Sequence, residues 1–109
     1  MADSYKVLAV SQLPTAAANV YAPGAAKSGI LKNMTLRNQG ANTETVLLYV
    51  NGTDAAHQWG PTFTLTPSGS DGCAVEWDGT LALSATDFLA GKSTDATAVT
   101  IVVSGDEIS

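Results

Sequence analysis

Hydrophobic and polar residues alternate with period two over several short stretches of the chain, which is the pattern of half-buried β-strands. In residues 62–66, threonines alternate with Phe63 and Leu65. In residues 98–104, Val99, Ile101 and Val103 occupy every second position. Both stretches predict strands with one face turned toward a core.

Two consecutive stretches in the middle of the chain depart from simple alternation. Residues 29–38 alternate except at Leu31 and Lys32, each of which falls on the face of opposite character. Residues 44–50 are apolar on both faces, which indicates a central strand of a packed sheet. Residues 6–11 and 19–22 predict shorter strands nearer the N-terminus.

Turn-forming residues separate these strands about every 8–12 residues, the spacing of all-β domains. Asp78-Gly79 predicts a tight hairpin between strands at 73–77 and 81–85. Residues 53–60, with His57 and Trp59, predict a loop, and residues 90–92 predict a break before the last strand. The fold expected for residues 1–109 is one antiparallel β-sandwich, or a jelly-roll-like barrel, of about eight short strands.

Composition and charge narrow the function. Charged residues make up 14% of the 109 residues and hydrophobic residues 45%, which excludes disorder and a long coiled coil. The net charge of −5 predicts repulsion from nucleic acid. Residues 1–40 carry a net charge of +3, and residues 41–109 carry −8. This asymmetry suggests a basic face that docks on an acidic partner.

Reactive residues are few. With one His and one Cys, the chain offers no catalytic constellation around His57, no intrachain disulfide for Cys73 and no multi-ligand metal site. Glu76 and Asp78 are spaced as a carboxylate pair, but Asp78 is explained by the predicted turn. We therefore expect no enzymatic activity, no catalytic or metal-binding residue and no cofactor.

Targeting signals are also missing. An acidic residue, Asp3, precedes a short apolar stretch at 7–10, which differs from a secretory signal. No run approaches the ~20 apolar residues of a membrane span. The expectation is a protein made in the host cytoplasm that does not enter a membrane.

The order of these motifs resembles a class of small virion proteins of tailed bacteriophages. The resemblance covers about residues 20–107, although the stretch after Thr80 carries Ser84-Ala85-Thr86-Asp87 in place of the usual Ala-Gly-Asp turn. The motifs that carry it are Val20-Tyr21-Ala22-Pro23-Gly24, residues 29–38, residues 45–49, Trp77-Asp78-Gly79-Thr80-Leu81-Ala82-Leu83 and residues 99–107.

The resemblance implies a non-enzymatic virion structural protein, foremost a capsid decoration (cement) protein that binds the major capsid protein and stabilises the head. It implies location in the virion and self-association, with a trimer favoured. A small tail or fibre component is the alternative within the same class. A carbohydrate-binding β-sandwich module, stacking sugars on Trp59, Trp77 or Tyr49, is the alternative from another class.

The expected partner-contacting residues come from the basic segment and from a possible N-terminal strand or arm at residues 1–12. This strand would add to the edge of a neighbour's sheet. The alternative is that the cations are simply spread over the surface. The predicted contact residues are Tyr5, Lys6, Val7, Lys27, Lys32 and Arg37.

Overall fold

The computed structural model describes residues 3–108, with side chains from Lys6 onward. One short 3-10 helix, Ala55–His57, lies among the strands, and no described helix has the length and apolar character needed to cross a bilayer. The strands are β1 (Asp3–Gln12), β2 (Ala18–Tyr21), β3 (Ser28–Asn38), β4 (Glu44–Val50), β5 (Gln58–Leu65), β6 (Ala74–Leu83), β7 (Leu89–Ser93) and β8 (Val99–Ile108).

The strands form two four-stranded sheets. Sheet A has the order β1-β8-β3-β6, and sheet B has the order β2-β7-β4-β5. All neighbouring strands are antiparallel. This interleaving of early and late strands in both sheets is the jelly-roll order. The predicted all-β sandwich of about eight strands is confirmed.

The core lies between the inward faces of the two sheets. The strand at Glu44–Val50 is central, between β7 and β5, as its two apolar faces predict. Phe63 and Leu65 point inward, and the threonines beside them lie outside or at the margin, as the alternation predicts. The fully buried core side chains are Leu13, Leu31, Met34, Leu36, Val46, Leu48, Leu65, Leu89, Ala90, Val99, Ile101 and Val103.

The irregular alternation in β3 is a β-bulge. Leu31 pairs with Gly105 and Asn33 with Ser104, which leaves Lys32 as an extra residue opposite β8. A bulge resets the alternation, so Leu31 and Met34 both enter the core while Lys32 stays exposed. Leu31 and Lys32 therefore do not violate the pattern, because the pattern restarts between them.

The predicted hairpin at Asp78-Gly79 is wrong, because both residues lie inside the continuous strand β6. The pairs Leu31–Leu81 and Asn33–Asp78 leave extra residues on β6 at Gly79. A Cβ on Gly79 would lie 2.6 Å from the Trp77 ring. A glycine inside a strand is typical of such bulges and close approaches. The Asp78-Gly79 dipeptide, which predicted a hairpin, therefore forms a bulge within a strand.

Two other boundaries differ from the predictions. Residues 90–92 belong to β7, where a Cβ on Gly91 would lie 2.9 Å from a Leu48 methyl. The last strand continues through Gly105, whose α-carbon approaches the Ile30 carbonyl, as far as Ile108. Both glycines sit where another chain segment leaves no room for a side chain, and sequence patterns alone assign such glycines to turns.

Candidate interaction surface

Strand β1 is an edge strand of sheet A, with β8 as its neighbour in the sheet. The register shifts between Val7 and Ala9, so Leu8 is an extra residue. Leu8 and Ala9 both pack against the core. Val7 and Val10, which we call the valine pair, are 55% and 66% exposed. They are the exposed large hydrophobic side chains of residues 6–108.

The outward face of sheet A continues from the valine pair across the other strands. Apart from the half-buried Val102, the side chains beyond the valine pair are polar or acidic, so the valine pair forms an apolar margin on a largely polar face. In strand order, the two rows are Val10, Val102, Thr35 and Glu76, and then Val7, Ser104, Asn33 and Asp78.

At one end of the sandwich, on the side of sheet A that faces sheet B, lies a cluster that we call the Glu107 corner. The Lys6 amine lies 3.1 Å from a Glu107 carboxylate oxygen, and the Tyr21 hydroxyl donates to the other oxygen at 3.4 Å. The hydrogen bond from Lys6 lowers the pKa of Glu107, and the charge of Lys27 lowers it further. Burial raises the pKa of Tyr21, as does the negative charge of Glu107.

The other predicted contact residues are distributed along sheet A. The Lys32 amine lies 2.8 Å from an Asp106 carboxylate oxygen. Arg37 is exposed toward the opposite end of β3, opposite Ala74. Tyr5 lies in β1 opposite Asp106, and its side chain is outside the described part of the chain.

The fold therefore places Lys6 and Lys27 beside Glu107 and Lys32 beside Asp106, two successive acids at the end of β8, and leaves Arg37 apart from them. The basic N-terminal third and the acidic remainder of the sequence meet at this corner. No pattern along the sequence indicates this meeting, because it depends on β8 lying between β1 and β3.

A shallow apolar cavity of about 360 Å³ lies where β3, β6 and β8 meet the turn after β6. We call it the Ile30 groove. The Asp87 carboxylate at its margin accepts hydrogen bonds from the Ser84 backbone and hydroxyl, both at 2.9 Å. These bonds, together with one from Asn51, lower the pKa of Asp87. The groove is lined by Ser28, Gly29, Ile30, Ala82, Leu83, Ser84, Asp87 and Ile108.

The residues suited to catalysis do not form a reactive arrangement. His57 Nδ1 lies 2.6 Å from an Asp54 oxygen, and both side chains are exposed. This hydrogen bond with His57 lowers the pKa of Asp54. Asp78 accepts a hydrogen bond of 2.7 Å from the Asn33 amide, which gives that carboxylate a structural role. Within residues 6–108, no group of three or more His, Cys, Asp or Glu side chains is placed to hold a metal ion.

The three aromatic residues expected to stack sugars, Trp59, Trp77 and Tyr49, do not form a flat platform. Trp59 lies in β5, not in the predicted loop, and packs edge-to-face on Trp77 with ring centroids 5.1 Å apart. Both rings are partly buried against the core. Tyr49 is only 4% exposed. Since stacking requires an open ring face, this packing weakens the carbohydrate-binding alternative.

Glu44 is a titratable residue that the sequence patterns did not single out. It begins β4 and is 1% exposed. Its carboxylate accepts a 2.7 Å hydrogen bond from the Asp95 backbone. Burial, followed by its contact with the Asp95 side chain, raises the pKa of Glu44. The sequence signal that could have identified Glu44 is its place as an acidic residue at the first inward position of the apolar stretch 44–50.

Comparison with known proteins shows likeness of structure only. No known protein family and no curated protein matches the sequence. A subunit of the disulfide-linked pili that form Bacillus endospore appendages is similar over 99% of this chain and 87% of its own, with 13% identity and a TM-score of 0.52.

Two other solved structures are similar at 16% identity. The Drosophila NLP core, described for pentamer formation and histone binding, matches over 99% of this chain and 98% of its own, with a TM-score of 0.50. A pentameric capsid protein from metagenomic phage sequences matches over 96% of this chain and 63% of its own, with a TM-score of 0.38. The pilus and NLP-core likenesses show that this chain shares the β-sandwich fold of those two proteins.

Proposed function

We propose that this protein is a non-enzymatic structural component of a virion, a capsid decoration protein that binds the major capsid protein and stabilises the head. One observation carries the proposal. The outward face of sheet A carries cations and ends at an edge strand with two exposed valines. Exposed valines on an open sheet edge favour association, since natural edges are usually protected.

The fold and the composition support a structural role. The two solved structures with TM-scores of 0.52 and 0.50 are described as a pilus component and a pentamer. Both are parts of assemblies, which supports self-association of this chain, and we propose a trimer. A cyclic trimer repeats one contact around a closed ring, so weak single contacts reinforce each other.

The proposed docking surface divides between two kinds of contact. Lys27, Lys32 and Arg37 face the capsid lattice on the side of sheet A. Tyr5, Lys6 and Val7 contact the neighbouring subunit along β1. Oppositely charged surfaces accelerate association, so docking on an acidic capsid surface slows as salt rises.

The test is binding of the purified chain to capsids of its own virus that lack it, followed by cosedimentation. Deleting β1 is unsuitable because β1 pairs with β8 along its length. Lys6 and Lys32 are unsuitable because they pair with Glu107 and Asp106. The informative variant is therefore Lys27→Glu combined with Arg37→Glu.

The control is Lys92→Glu, a single charge reversal of the same kind, in β7 of sheet B. We expect the double variant to associate at least tenfold more slowly at low salt, and the Lys92 variant to associate like wild type. Unchanged docking by the double variant would show that the cations do not face the lattice. Absence of binding by the wild-type chain would show that it is not a decoration protein.

A small tail or fibre component is the second candidate. The likeness to a pilus subunit over 87% of that subunit's length favours it. The same assay separates the candidates when isolated tails are tested beside heads. Binding confined to tails would favour the fibre function.

A further inference from the structure

A cavity of about 250 Å³ lies on the outward face of sheet B, and we call it the Lys92 pocket. The two central strands of the sheet, β4 and β7, form its floor, and the segment that follows β1 forms one wall. The lining contains one cation and several hydroxyl groups, and it contains no carboxylate. Its residues are Thr15, Thr45, Leu47, Lys92, Ser93 and Thr94.

Lys92 differs from the other basic residues in its burial. Its side chain is half-buried, whereas the other four Lys and Arg side chains are exposed. Among the side chains of residues 6–108, no carboxylate oxygen lies within ion-pair distance of the Lys92 amine. Cations that lose contact with water are usually paired with an anion. A half-buried cation without such a partner indicates an anion that comes from outside the chain.

Two threonine hydroxyls of the lining have hydrogen bonds left to donate. In the described part of the chain, the hydroxyls of Thr15 and Thr45 have no hydrogen-bond partner. The Thr94 hydroxyl, in contrast, accepts a bond of 2.9 Å from the Thr45 backbone N–H. Lys92, Thr15 and Thr45 stand on three separate segments, so they can donate to one ligand from different directions.

Backbone hydrogen bonds hold these segments together. The Ser93 N–H donates to the Pro14 carbonyl at 2.9 Å, which keeps Thr15 beside β7. The Thr94 N–H donates to the Thr45 carbonyl at 3.1 Å, which joins the end of β7 to the start of β4. Because the backbone under the donors is already ordered, a ligand has little chain entropy to remove when it binds.

The acidic residues that adjoin the lining in sequence are Glu44 and Asp95, and neither lines the pocket. Glu44 is 1% exposed, on the inward face of β4. Its carboxylate accepts a hydrogen bond from the Asp95 backbone and also contacts the Asp95 side chain. Because burial raises the pKa of Glu44, this pair carries less negative charge than two separate carboxylates would. Repulsion of an anion in the pocket is correspondingly reduced.

We propose that the Lys92 pocket binds a phosphate group, either as the free ion or as the ester of a small polyol. A tetrahedral phosphate carries acceptor oxygens in several directions, which suits donors on three segments better than a planar carboxylate does. Lysine binds phosphate as a point charge. Pockets for whole drug-sized ligands measure roughly 300–1,000 Å³, so a cavity of about 250 Å³ fits a small group.

This proposal goes beyond the proposed function and does not depend on it. A decoration protein that docks through sheet A leaves the outward face of sheet B turned away from the capsid. The Lys92 pocket would then be open to the solution around the particle.

The experiment is an NMR titration of the full chain labelled with ¹⁵N, in chloride buffer at constant ionic strength. The probes are sodium phosphate, glycerol 3-phosphate and sodium acetate. One variant is Lys92→Met, which removes the charge and keeps an unbranched apolar side chain. The other is Thr45→Val, which removes a hydroxyl and keeps the β-branched shape. The matched controls are Lys27→Met and Thr62→Val, at exposed positions outside the lining.

We expect phosphate to shift the amide signals of Lys92, Thr94 and Thr45 along a saturating curve, and acetate to bind at least tenfold more weakly. Lys92→Met weakens phosphate binding at least tenfold, because the charged donor is lost. Thr45→Val weakens it severalfold, and both controls bind like wild type. Tighter binding of glycerol 3-phosphate than of phosphate would identify an esterified group as the ligand, and the reverse order would identify the free ion.

Three results would overturn the proposal. They are shifts that do not saturate or that appear equally beside every exposed lysine, a Lys92→Met variant that binds phosphate like wild type, and acetate that binds as tightly as phosphate. Circular dichroism checks that each variant is folded, and Thr45→Val decides the question if Lys92→Met does not fold. The titration uses the chain alone, so its failure would leave the decoration function standing, and failure to bind capsids would leave the phosphate site standing.

Discussion

Two carboxylates at different places in the sandwich, Glu107 and Glu44, have pKa values shifted in opposite directions. Glu107 lies at the end of β8 beside the Lys6 amine, and its pKa is lowered. Glu44 lies buried at the start of β4 against Asp95, and its pKa is raised. The residue type is the same, so the difference comes from solvent access and from the charge of the neighbour.

The opposite shifts give opposite dependences of stability on pH. A lowered pKa means that the folded chain binds fewer protons, so the contribution of Glu107 is lost as the pH falls below 4.5. A raised pKa means that the folded chain binds more protons. The contribution of Glu44 is therefore lost as the pH rises from 4.5 through its raised pKa.

The largest expected effect is a loss of stability when a methyl group is added at a tightly packed glycine of either sheet. Gly105 precedes the Glu107 corner, and a Cβ there meets the backbone of β3. We expect Gly105→Ala to lower the free energy of unfolding by about 3 kcal/mol or more. The backbone of β3 can move away from the added methyl only if the bulge at Lys32 is disrupted. Urea denaturation measures the loss.

The matched change in sheet B is Gly91→Ala, where the added methyl meets side chains of Leu48 and Leu13. Side chains adjust more easily than backbone, so we expect a loss of about 1–2 kcal/mol. Equal losses in the two variants would contradict the expectation that sheet A at Gly105 accommodates an added methyl less easily than sheet B at Gly91.

The second prediction concerns the buried carboxylate. Glu44→Gln keeps an acceptor for the Asp95 backbone and removes the desolvated charge. We expect the variant to be more stable than wild type at pH 7 by about 1 kcal/mol. We also expect the variant to lack the loss of stability that ionisation of Glu44 causes in wild type as the pH rises. Thermal unfolding between pH 4 and 8 measures both, and a variant less stable than wild type at pH 7 would refute the buried-charge explanation.

The smallest effect is expected at the Glu107 corner. Lys6→Gln removes the amine that lowers the pKa of Glu107, so that pKa rises toward 4.5. Stability at neutral pH changes little, because the Lys6 side chain is about half exposed to water and salt. NMR titration of the Glu107 side chain measures the shift, and Thr64→Lys serves as a remote control. An unchanged Glu107 pKa would show that Lys6 is not its main partner.

Regular alternation was a reliable guide where one face of a strand is buried. Residues 44–50 and 62–66 behave as their patterns predict because burial of every second side chain is a property of a single strand. The pattern failed at Asp78-Gly79, since both a hairpin and a bulge use a glycine that follows a polar residue. The partner strand selects between them, and here β3 runs past both residues.

The candidate surface was only partly accessible from sequence. Lys6, Lys27 and Lys32 are identified by charge, but their meeting with Glu107 and Asp106 requires β8 to lie between β1 and β3. The exposure of Val7 and Val10 also depends on a bulge, which turns Leu8 and Ala9 inward together. A strictly alternating strand would place Val10 on the opposite face from Val7.

The sequence by itself determined the all-β class, the approximate number of strands and the inward residues of the regular strands. These follow from local periodicity and from turn-forming residues, which act over a few positions. Strand order, the bulges at Leu8, Lys32 and Gly79, and the neighbours of Glu44 and Glu107 were decided only by the tertiary structure. They depend on contacts between residues far apart in the sequence, such as Lys6 and Glu107, whose distance is set by packing two sheets around one core.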